Sequence, residues 1–238
     1  MDVEAWTPIY EAIVADFGFD PEADRRAREY LNERVRRFDL DRLDFDGHAV
    51  AIAGGSEGLA GEIEAAAAAE RIVAVSSAAT VLDDHGVEPD LVVTDLDGTP
   101  ERAIALSRRG VPVAVHAHGD NLDALGRFLT RFDGQQVIGT TQVEPTDRAL
   151  NVGGFTDGDR AAYLADHLGA GTLTFPGWDL EDPSVSTIKQ RKLDWAARLL
   201  RCLERRRKER FGIIDDRRQA LDQTLATADW ATACRPTE

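Results

Sequence analysis

The sequence predicts an α/β fold: a Rossmann-like, mostly parallel sheet with helices on both faces and helical segments at each end of the chain. Short apolar runs alternate with helical stretches through the middle of the sequence. These runs are almost uninterrupted, as expected for strands that helices cover on both faces. Glycine-rich or polar clusters follow most of the runs and indicate loops. A chain of 238 residues is long enough for one large α/β domain with helical additions.

The N-terminal segment, residues 1–45, is expected to be helical. Apolar residues recur at helical spacing over residues 6–17, and Gly18 ends that run. Pro21 is expected to open a second, charged helix that continues to Phe38.

Residues 46–185 are expected to form the Rossmann-like domain, and residues 186–238 a helical segment that packs on it. The expected strands are 48–53, 72–75, 91–93, 111–116, 137–141 and 172–175. The expected helices of the domain are 61–70, one that ends at 86, then 100–109, 122–132 and 158–168.

Composition excludes several classes of protein. The 43 acidic and 28 basic residues leave a net charge of −15, which argues against a nucleic-acid-binding protein. No apolar run approaches the roughly 20 residues that span a bilayer, and the N-terminus lacks the basic start of a signal peptide. Cys202 and Cys234 form no CxxC pair and suggest no disulfide. We therefore expect a cytoplasmic protein that contacts neither membrane nor nucleic acid.

Lysine is rare: Lys189, Lys192 and Lys208 are the three lysines among 28 basic residues. Acidic excess with little lysine is typical of proteins dissolved in molar salt, where a Debye length of about 3 Å screens surface repulsion. This favours the hypothesis of a salt-loving source. The alternative is a GC-rich genome and an ordinary acidic surface.

Asp95 and Asp97 follow the third expected strand, at the edge of a parallel sheet where ligands bind. On extended backbone, residues two apart point the same way, so the two carboxylates are expected to face one point. With Gly98 beside them, they suit a hard cation such as Mg²⁺. The alternative is a solvated acidic turn.

Two more polar clusters lie beside expected elements, one after a strand and one at the start of a helix. His116, His118, Asp120 and Asn121 follow the fourth strand, and we favour substrate contacts or structural hydrogen bonds for the histidines, since no further His or Cys nearby completes a zinc site. The second cluster opens a helix and contains Phe155, Thr156 and Asp157. Thr156 or Asp157 is expected to cap this helix, whose free N–H groups then meet an anion or serve only the cap.

Two other segments are candidate phosphate contacts. Gly54, Gly55 and Ser56 join a strand to a helix, but their spacing matches neither G-x-G-x-x-G nor a P-loop, so a tight turn is an equal alternative. The helical turn with Lys189, Arg191 and Lys192 holds two of the three lysines, and an ammonium group is a good phosphate ligand. The alternative for this turn is a solvated helix face.

Together these motifs resemble the archaeal 6-hydroxymethyl-7,8-dihydropterin diphosphokinases, whose fold is similar to the catalytic domain of thiamine diphosphokinases. Their order and spacing carry the resemblance over most of the chain. The matching segments are Trp6, residues 17–20, 89–98 (PDLVVTDLDG), 116–121 (HAHGDN), 154–161 (GFTDGDRA) and the helix 189–200. The sequence departs from the Gly-x-Gly-Pro-Ser-type loop of wider relatives at residues 54–58.

The resemblance implies an ATP-dependent enzyme that transfers a diphosphoryl group to the pterin hydroxymethyl oxygen, releases AMP and supplies a folate- or methanopterin-type pathway. It implies Mg²⁺ held by Asp95 and Asp97, with Asp120 and Asp157 as further ligands or as the group that orients the hydroxyl. Lys189 and Lys192 would balance phosphate charge. Substrate contacts are expected from His116, His118, Asn121 and Phe155.

Three alternatives remain open at the level of sequence. Residues 92–99 resemble the D-x-D-G-T motif of haloacid-dehalogenase-type phosphatases, with Asp95 as the nucleophile, although in those enzymes the motif follows the first strand. A thiamine diphosphokinase and a non-enzymatic nucleotide-binding module are the other two. The oligomeric state is open, with a homodimer as one option.

Overall fold

A computed structural model describes residues 1–98 and 100–236. Within these residues, seven parallel strands form one sheet in the order β6-β5-β4-β3-β2-β1-β7. The strands are β1 Ala49–Ala53, β2 Arg71–Val75, β3 Leu91–Thr94, β4 Val113–Ala117, β5 Val137–Thr141, β6 Ala149–Leu150 and β7 Thr172–Thr174. The first six strands follow one another across the sheet in chain order. The chain then crosses to the other edge, where β7 pairs with β1. The predicted α/β class is confirmed.

Helices cover both faces of this sheet. In the described residues they are α1 Val3–Phe17, α2 Pro21–Asn32, α3 Ile63–Ala67, α4 Ala78–Asp84, α5 Pro100–Arg108, α6 Leu122–Phe128, α7 Asp157–His167, α8 Thr187–Arg207 and α9 Arg218–Thr227. The apolar residues of α1, α7 and α8 form one core with one face of the strands. Those of α2 to α6 form a second core with the opposite face.

Strand β2 shows why the apolar runs are continuous. Val73 and Val75 belong to the core beneath α1, α7 and α8, whereas Ala74 belongs to the core on the other face. Successive strand residues point to opposite faces, so a strand between two helical layers needs apolar residues at every position.

Three elements differ from the sequence prediction. Helix α2 ends at Asn32 rather than Phe38, since the residues from Glu33 to Arg37 are exposed apart from Val35 and provide no continuous buried face to extend the helix. The helix expected over 61–70 shortens to α3 and a preceding 3₁₀ turn, Glu57–Gly61, since its alanines and glycines provide little apolar surface to hold it. Strand β6 has two residues, too few to produce a recognisable apolar run.

The prediction of no disulfide is wrong. Cys202 on α8 and Cys234 form a disulfide, and their Cα atoms lie 4.6 Å apart although 32 positions separate them in sequence. That separation carries no local pattern, so only the return of the C-terminal segment onto α8 reveals the pair. The disulfide links the C-terminal segment to the helix that also contains Lys189 and Lys192.

The C-terminal segment packs on the central domain through α7 and α8. Tyr163 on α7 is fully buried, and its hydroxyl donates a hydrogen bond to the carbonyl oxygen of Leu199 on α8 at 3.0 Å.

None of the helices in the described part of the chain combines the length and the apolar character that crossing a membrane requires.

Candidate active site

A cavity of about 550 Å³ lies along the edge of the sheet where the parallel strands end. Loops from six neighbouring strands form its floor, and residues of α2, α7 and α8 complete its wall. In sheet order the loop residues are Trp178 after β7, Gly54, Gly55 and Ser56 after β1, Ser76 and Ser77 after β2, Asp95 and Asp97 after β3, His118, Gly119 and Asp120 after β4, and Gln142 after β5. The structure thus gathers most of the predicted polar residues around one hollow.

A tight turn, rather than an extended strand, orients Asp95 and Asp97. Leu96 between them has a φ of +71° and a buried side chain. The N–H of Asp97 donates to Oδ1 of Asp95 at 3.0 Å, and the N–H of Leu96 donates to Oγ1 of Thr94 at 3.0 Å. The expectation of extended backbone is therefore wrong. A bulky residue with positive φ is strained and persists only where its surroundings fix it.

Asp157, the first residue of α7, ties that helix to the end of β3. Its Oδ2 accepts a hydrogen bond from the N–H of Asp95 at 3.1 Å, and its Oδ1 accepts one from Nη1 of Arg160 at 2.8 Å. Thr156 occupies the N-cap position. Oδ2 of Asp159 accepts from the N–H of Phe155 at 2.6 Å, and its Oδ1 accepts from the N–H of Thr156 at 2.9 Å. The start of α7 is thus fixed beside the Asp95 turn.

The three carboxylates of Asp95, Asp97 and Asp157 converge on one point. Each offers one oxygen that lies within 4.8 Å of an oxygen of the other two. This set fits a hard divalent cation, which prefers oxygen ligands and takes one or more carboxylates in protein sites. Among the described residues this group leaves out Asp120, which lines the cavity wall instead.

The crowding of these carboxylates changes how they hold protons. Burial and the charge of Asp95 raise the pKa of Asp157 to about 7, and the guanidinium of Arg160 only partly opposes this. Burial and the charge of Asp95 also raise the pKa of Asp97. Burial alone would raise the pKa of Asp95, but hydrogen bonds from His118 and from the N–H of Asp97 hold that pKa well below its usual range. A bound cation would relieve this repulsion.

His118 faces the centre and contacts Asp95. Its Nε2 lies 3.4 Å from Oδ2 of Asp95, and its Nδ1 accepts the N–H of Asp120 at 3.4 Å. This arrangement requires a proton on Nε2. His118 therefore braces Asp95, and it also lines the cavity, where its contact with a substrate stays a prediction.

His116 and Asn121 do not reach the cavity wall as the described residues form it, so their expected substrate contacts are corrected. His116 is fully buried within the sheet strand β4, and its Nδ1 lies 3.1 Å from Oγ1 of Thr140 on β5. Asn121 is an internal brace: its Nδ2 donates to the carbonyl oxygens of Asp95 and His116, both at 2.7 Å. His116 lies within β4, whereas His118 follows the end of that strand and reaches the cavity. The amide of Asn121 supports the Asp95 turn.

The loop after β1 contains glycine because other loops pack closely against it. A Cβ on Gly54 would lie 2.5 Å from the carbonyl oxygen of Gly177, and one on Gly55 would lie 2.3 Å from Oγ of Ser77. Two of the loop's N–H groups are already used, since those of Gly54 and Ser56 donate to the segment before Trp178. The predicted loop lines the cavity, but close packing is sufficient to explain its glycines.

Trp178 is a cavity residue whose position the sequence did not support. Its Nε1 donates to the carbonyl oxygen of Ile52 at 2.7 Å, and its ring covers Gly54 and Gly158 so closely that a Cβ on either would clash. Both glycines lie at the ends of predicted elements, but no local sequence pattern indicates that a large ring packs on them.

The predicted basic turn on α8 divides into two faces. Lys189 and Lys192, three positions apart, line the cavity, and Lys192 lies 6.0 Å from the ring centroid of Phe155. Arg191 points away, and its Nη2 donates to the carbonyl oxygen of Asp16 at 2.7 Å and to Oδ1 at 3.0 Å. The expected phosphate contact of Arg191 is therefore corrected, because one helix face cannot present all three side chains to the same hollow.

Thr99, the last residue of the phosphatase-like motif, lies outside the described residues.

Comparison with known proteins agrees with this architecture. The family described as 6-hydroxymethylpterin diphosphokinase MptE-like matches residues 34–184. The chain is similar to three proteins named 6-hydroxymethyl-7,8-dihydropterin pyrophosphokinase. The one from Methanothermobacter thermautotrophicus is 37% identical over 86% of this chain and 96% of its own length. The one from Pyrococcus furiosus is 38% identical over 75% and 78%, and the one from Methanocaldococcus jannaschii is 30% identical over 86% and 96%. The chain belongs to the 6-hydroxymethylpterin diphosphokinase MptE-like family.

Proposed function

We propose that this protein transfers the diphosphoryl group of ATP to the hydroxymethyl oxygen of 6-hydroxymethyl-7,8-dihydropterin. The hydroxyl oxygen forms a bond to the β-phosphorus, the bond from that phosphorus to the oxygen bridging the α-phosphate breaks, AMP leaves, and the hydroxyl proton is released. The observation that carries the proposal is the group of three carboxylates at the centre of a cavity large enough for small-molecule substrates. The names of the relatives support the choice of a pterin as acceptor.

Asp95, Asp97 and Asp157 would hold the cation, and we propose Mg²⁺ because phosphate-transfer sites combine it with a few carboxylates and the phosphate oxygens. When bound, the ion supplies positive charge against the phosphate oxygens. The protein's own contribution is rigid placement. Asn121 and the N–H of Asp95 lock the aspartate turn to β4 and α7, so the carboxylates are aligned before substrates arrive.

Lys189 and Lys192 would provide the remaining charge neutralisation from α8. An ammonium group acts as a point charge on phosphate, and both side chains reach the cavity that the carboxylates occupy. Asp120, an exposed carboxylate at the β4 side of the cavity wall, would orient the acceptor hydroxyl. The product would supply a pathway to a pterin-containing cofactor.

The direct test is to incubate the protein with ATP, Mg²⁺ and 6-hydroxymethyl-7,8-dihydropterin and to measure AMP and the diphosphorylated pterin. Equal amounts of the two are expected. Thiamine should give neither product, and ADP or inorganic phosphate as the main product would overturn the proposal.

Asp97→Asn is the matched variant for the site, because it keeps the side-chain shape and removes one carboxylate charge. We expect kcat to fall about 10²- to 10³-fold, the usual result of removing one preorganised electrostatic group. The melting temperature without Mg²⁺ should stay the same or rise, because the burial and the Asp95 charge that raise the pKa of Asp97 oppose ionisation there. Near-wild-type AMP release would remove Asp97 from the site.

A further inference from the structure

The two sides of the carboxylate centre differ in shape and chemistry. Asp97 faces the β2 side, where Oγ of Ser76 lies 3.4 Å from its Oδ1, and small Gly and Ser residues leave room for phosphates. Asp95 faces the β4 side, where it contacts His118. If the diphosphoryl group is transferred at the centre, ATP and the acceptor must approach from opposite sides. The β4–β5 side therefore remains for the acceptor ring.

A buried carboxylate stands on that second side. Asp24, on α2, is 4% exposed and lines the cavity. Its Oδ2 accepts hydrogen bonds from the hydroxyl of Tyr10 at 2.5 Å and from Nε2 of Gln142 at 2.8 Å. Its Oδ1 accepts the N–H of Gly119 at 2.7 Å. Three elements other than α2 thus hold this carboxylate in one orientation.

The geometry leaves one acceptor position on Asp24. A carboxylate has about four lone-pair positions, and the three described donors fill both positions of Oδ2 and one of Oδ1. The lone-pair position that remains on Oδ1 is therefore on a side chain of the cavity wall. The orientation of that side chain is fixed before any ligand binds. A fixed buried acceptor binds a ligand N–H with little further cost in ordering.

The approach of Gly119 to Asp24 depends on its lack of a side chain. A Cβ on Gly119 would lie 2.6 Å from the Cβ of Ala23, so only glycine lets the first turns of α2 pack this closely on the loop after β4. This packing brings α2, which lies outside the sheet, into the cavity wall.

Aromatic rings line the same cavity as this carboxylate. Phe19 and Phe155 both line the cavity, with ring centroids 6.4 Å apart and planes tilted by 44°. Phe17 stacks on Phe19 at 5.0 Å and supports it from behind. Such rings provide flat apolar contacts for a bicyclic heteroaromatic ligand.

We propose that Asp24 is the residue that recognises the 2-amino group of the pterin, by accepting its N–H at Oδ1, while Phe19 and Phe155 contact the ring. Gln142 and Gly119 are positioning residues, since they act through Asp24. This inference rests on the proposed function and names the part of the protein that selects its acceptor. The selecting residue comes from the N-terminal helices, and the sheet supplies the carboxylate centre.

The test compares two acceptors on the wild-type protein and on Asp24→Asn: the pterin and its analogue with oxygen in place of the 2-amino group. Wild type should prefer the pterin in kcat/KM by about 10- to 100-fold, the usual contribution of a hydrogen bond to a charged group. Asp24→Asn should lose most of that preference and leave the KM for ATP unchanged. Glu11→Gln, an exposed carboxylate-to-amide change on α1, should retain the preference.

Each failure has its own signature. Absence of AMP formation from wild type with the pterin would overturn the proposed function itself. Normal turnover with equal use of both acceptors by wild type would overturn the role of Asp24 alone, and this measurement needs no variant to fold. An increased KM for ATP in Asp24→Asn would place the adenine at this side and also overturn the inference. Phe19→Ala should raise the KM for the pterin about tenfold without changing that for ATP.

Discussion

The carboxylates of Glu204 and Asp157 both have little exposure and both lie beside arginine, yet the charges around them differ. Glu204 on α8 is fully buried and contacts the guanidinium groups of Arg201 and Arg218. The N–H of Phe211 also donates to it at 2.7 Å. Burial opposes its ionisation, but these partners prevail and lower the pKa of Glu204.

Asp157 has one arginine partner and two carboxylate neighbours. Arg160 lies 2.8 Å from it, while Asp95 and Asp97 each place an oxygen within 4.8 Å of one of its oxygens. Burial and those charges raise its pKa to about 7. The contrast teaches that burial alone does not distinguish a structural carboxylate from a functional one. A carboxylate beside like-charged neighbours in a cavity is a candidate for a functional site, whereas one whose charge is offset by cationic partners is typical of a structural site.

The largest expected effect is on Glu204, whose charge is offset by its arginine partners. Glu204→Gln removes the buried charge that faces Arg201 and Arg218 while these keep Asp222 and Asp215 as partners, and the weakened hydrogen bonds should cost about 1.5–3 kcal/mol of unfolding free energy. Urea unfolding of the variant and wild type measures the loss. Glu11→Gln, on an exposed helix face, should change stability by less than about 0.5 kcal/mol. A loss of similar size in the two variants would contradict the role given to Glu204.

The sequence predicted the sheet and the location of the site because both depend on local pattern. Continuous apolar runs identified the strands, and the rule that ligands bind where parallel strands end brought Asp95, Asp97 and Asp157 into consideration together. Lys189 and Lys192 stood out by composition alone. The structure places all five around one cavity.

What the sequence missed depends on contacts between distant segments. The positive φ of Leu96 follows from its burial and the hydrogen bonds around it. Asp24 resembles any other acid of a charged helix until α2 packs against Gly119. Arg191 could not be separated from its lysine neighbours without knowing which face of α8 meets the cavity. The disulfide between Cys202 and Cys234 was missed for the same reason, because it joins segments that are distant in sequence.

A change of pH should have an intermediate effect, through the protonation of Asp157. Because the pKa of Asp157 is raised from 3.8 to about 7, the folded protein without metal holds a proton that the unfolded chain has released. The contribution of Asp157 to the stability of the metal-free protein therefore falls as pH rises from 3.8 to about 7 and is least favourable above pH 7. A cation must displace that proton, so Mg²⁺ affinity should fall up to about tenfold per pH unit below 7.

Calorimetric titration of Mg²⁺ between pH 5.5 and 8.5, chosen as about one and a half pH units on either side of that pKa, measures this dependence. Mg²⁺ should also raise the melting temperature more at the alkaline end. Asp157→Asn should flatten both curves. A pH-independent affinity in wild type would show that Asp157 stays ionised without the metal, and the site would then resemble Glu204.

The smallest effect is expected at Arg191, whose ion pair is balanced but exposed. Its side chain and that of Asp16 are 45% and 41% exposed, so Arg191→Ala should cost about 1 kcal/mol of stability or less. The KM for ATP should change less than about twofold, because the guanidinium points away from the cavity. Lys189→Ala, two positions earlier on α8 but facing the cavity, should raise that KM at least about tenfold. Steady-state kinetics on the two variants separates the faces of α8, and equal effects on KM would mean that this helix turns a different side to the phosphates.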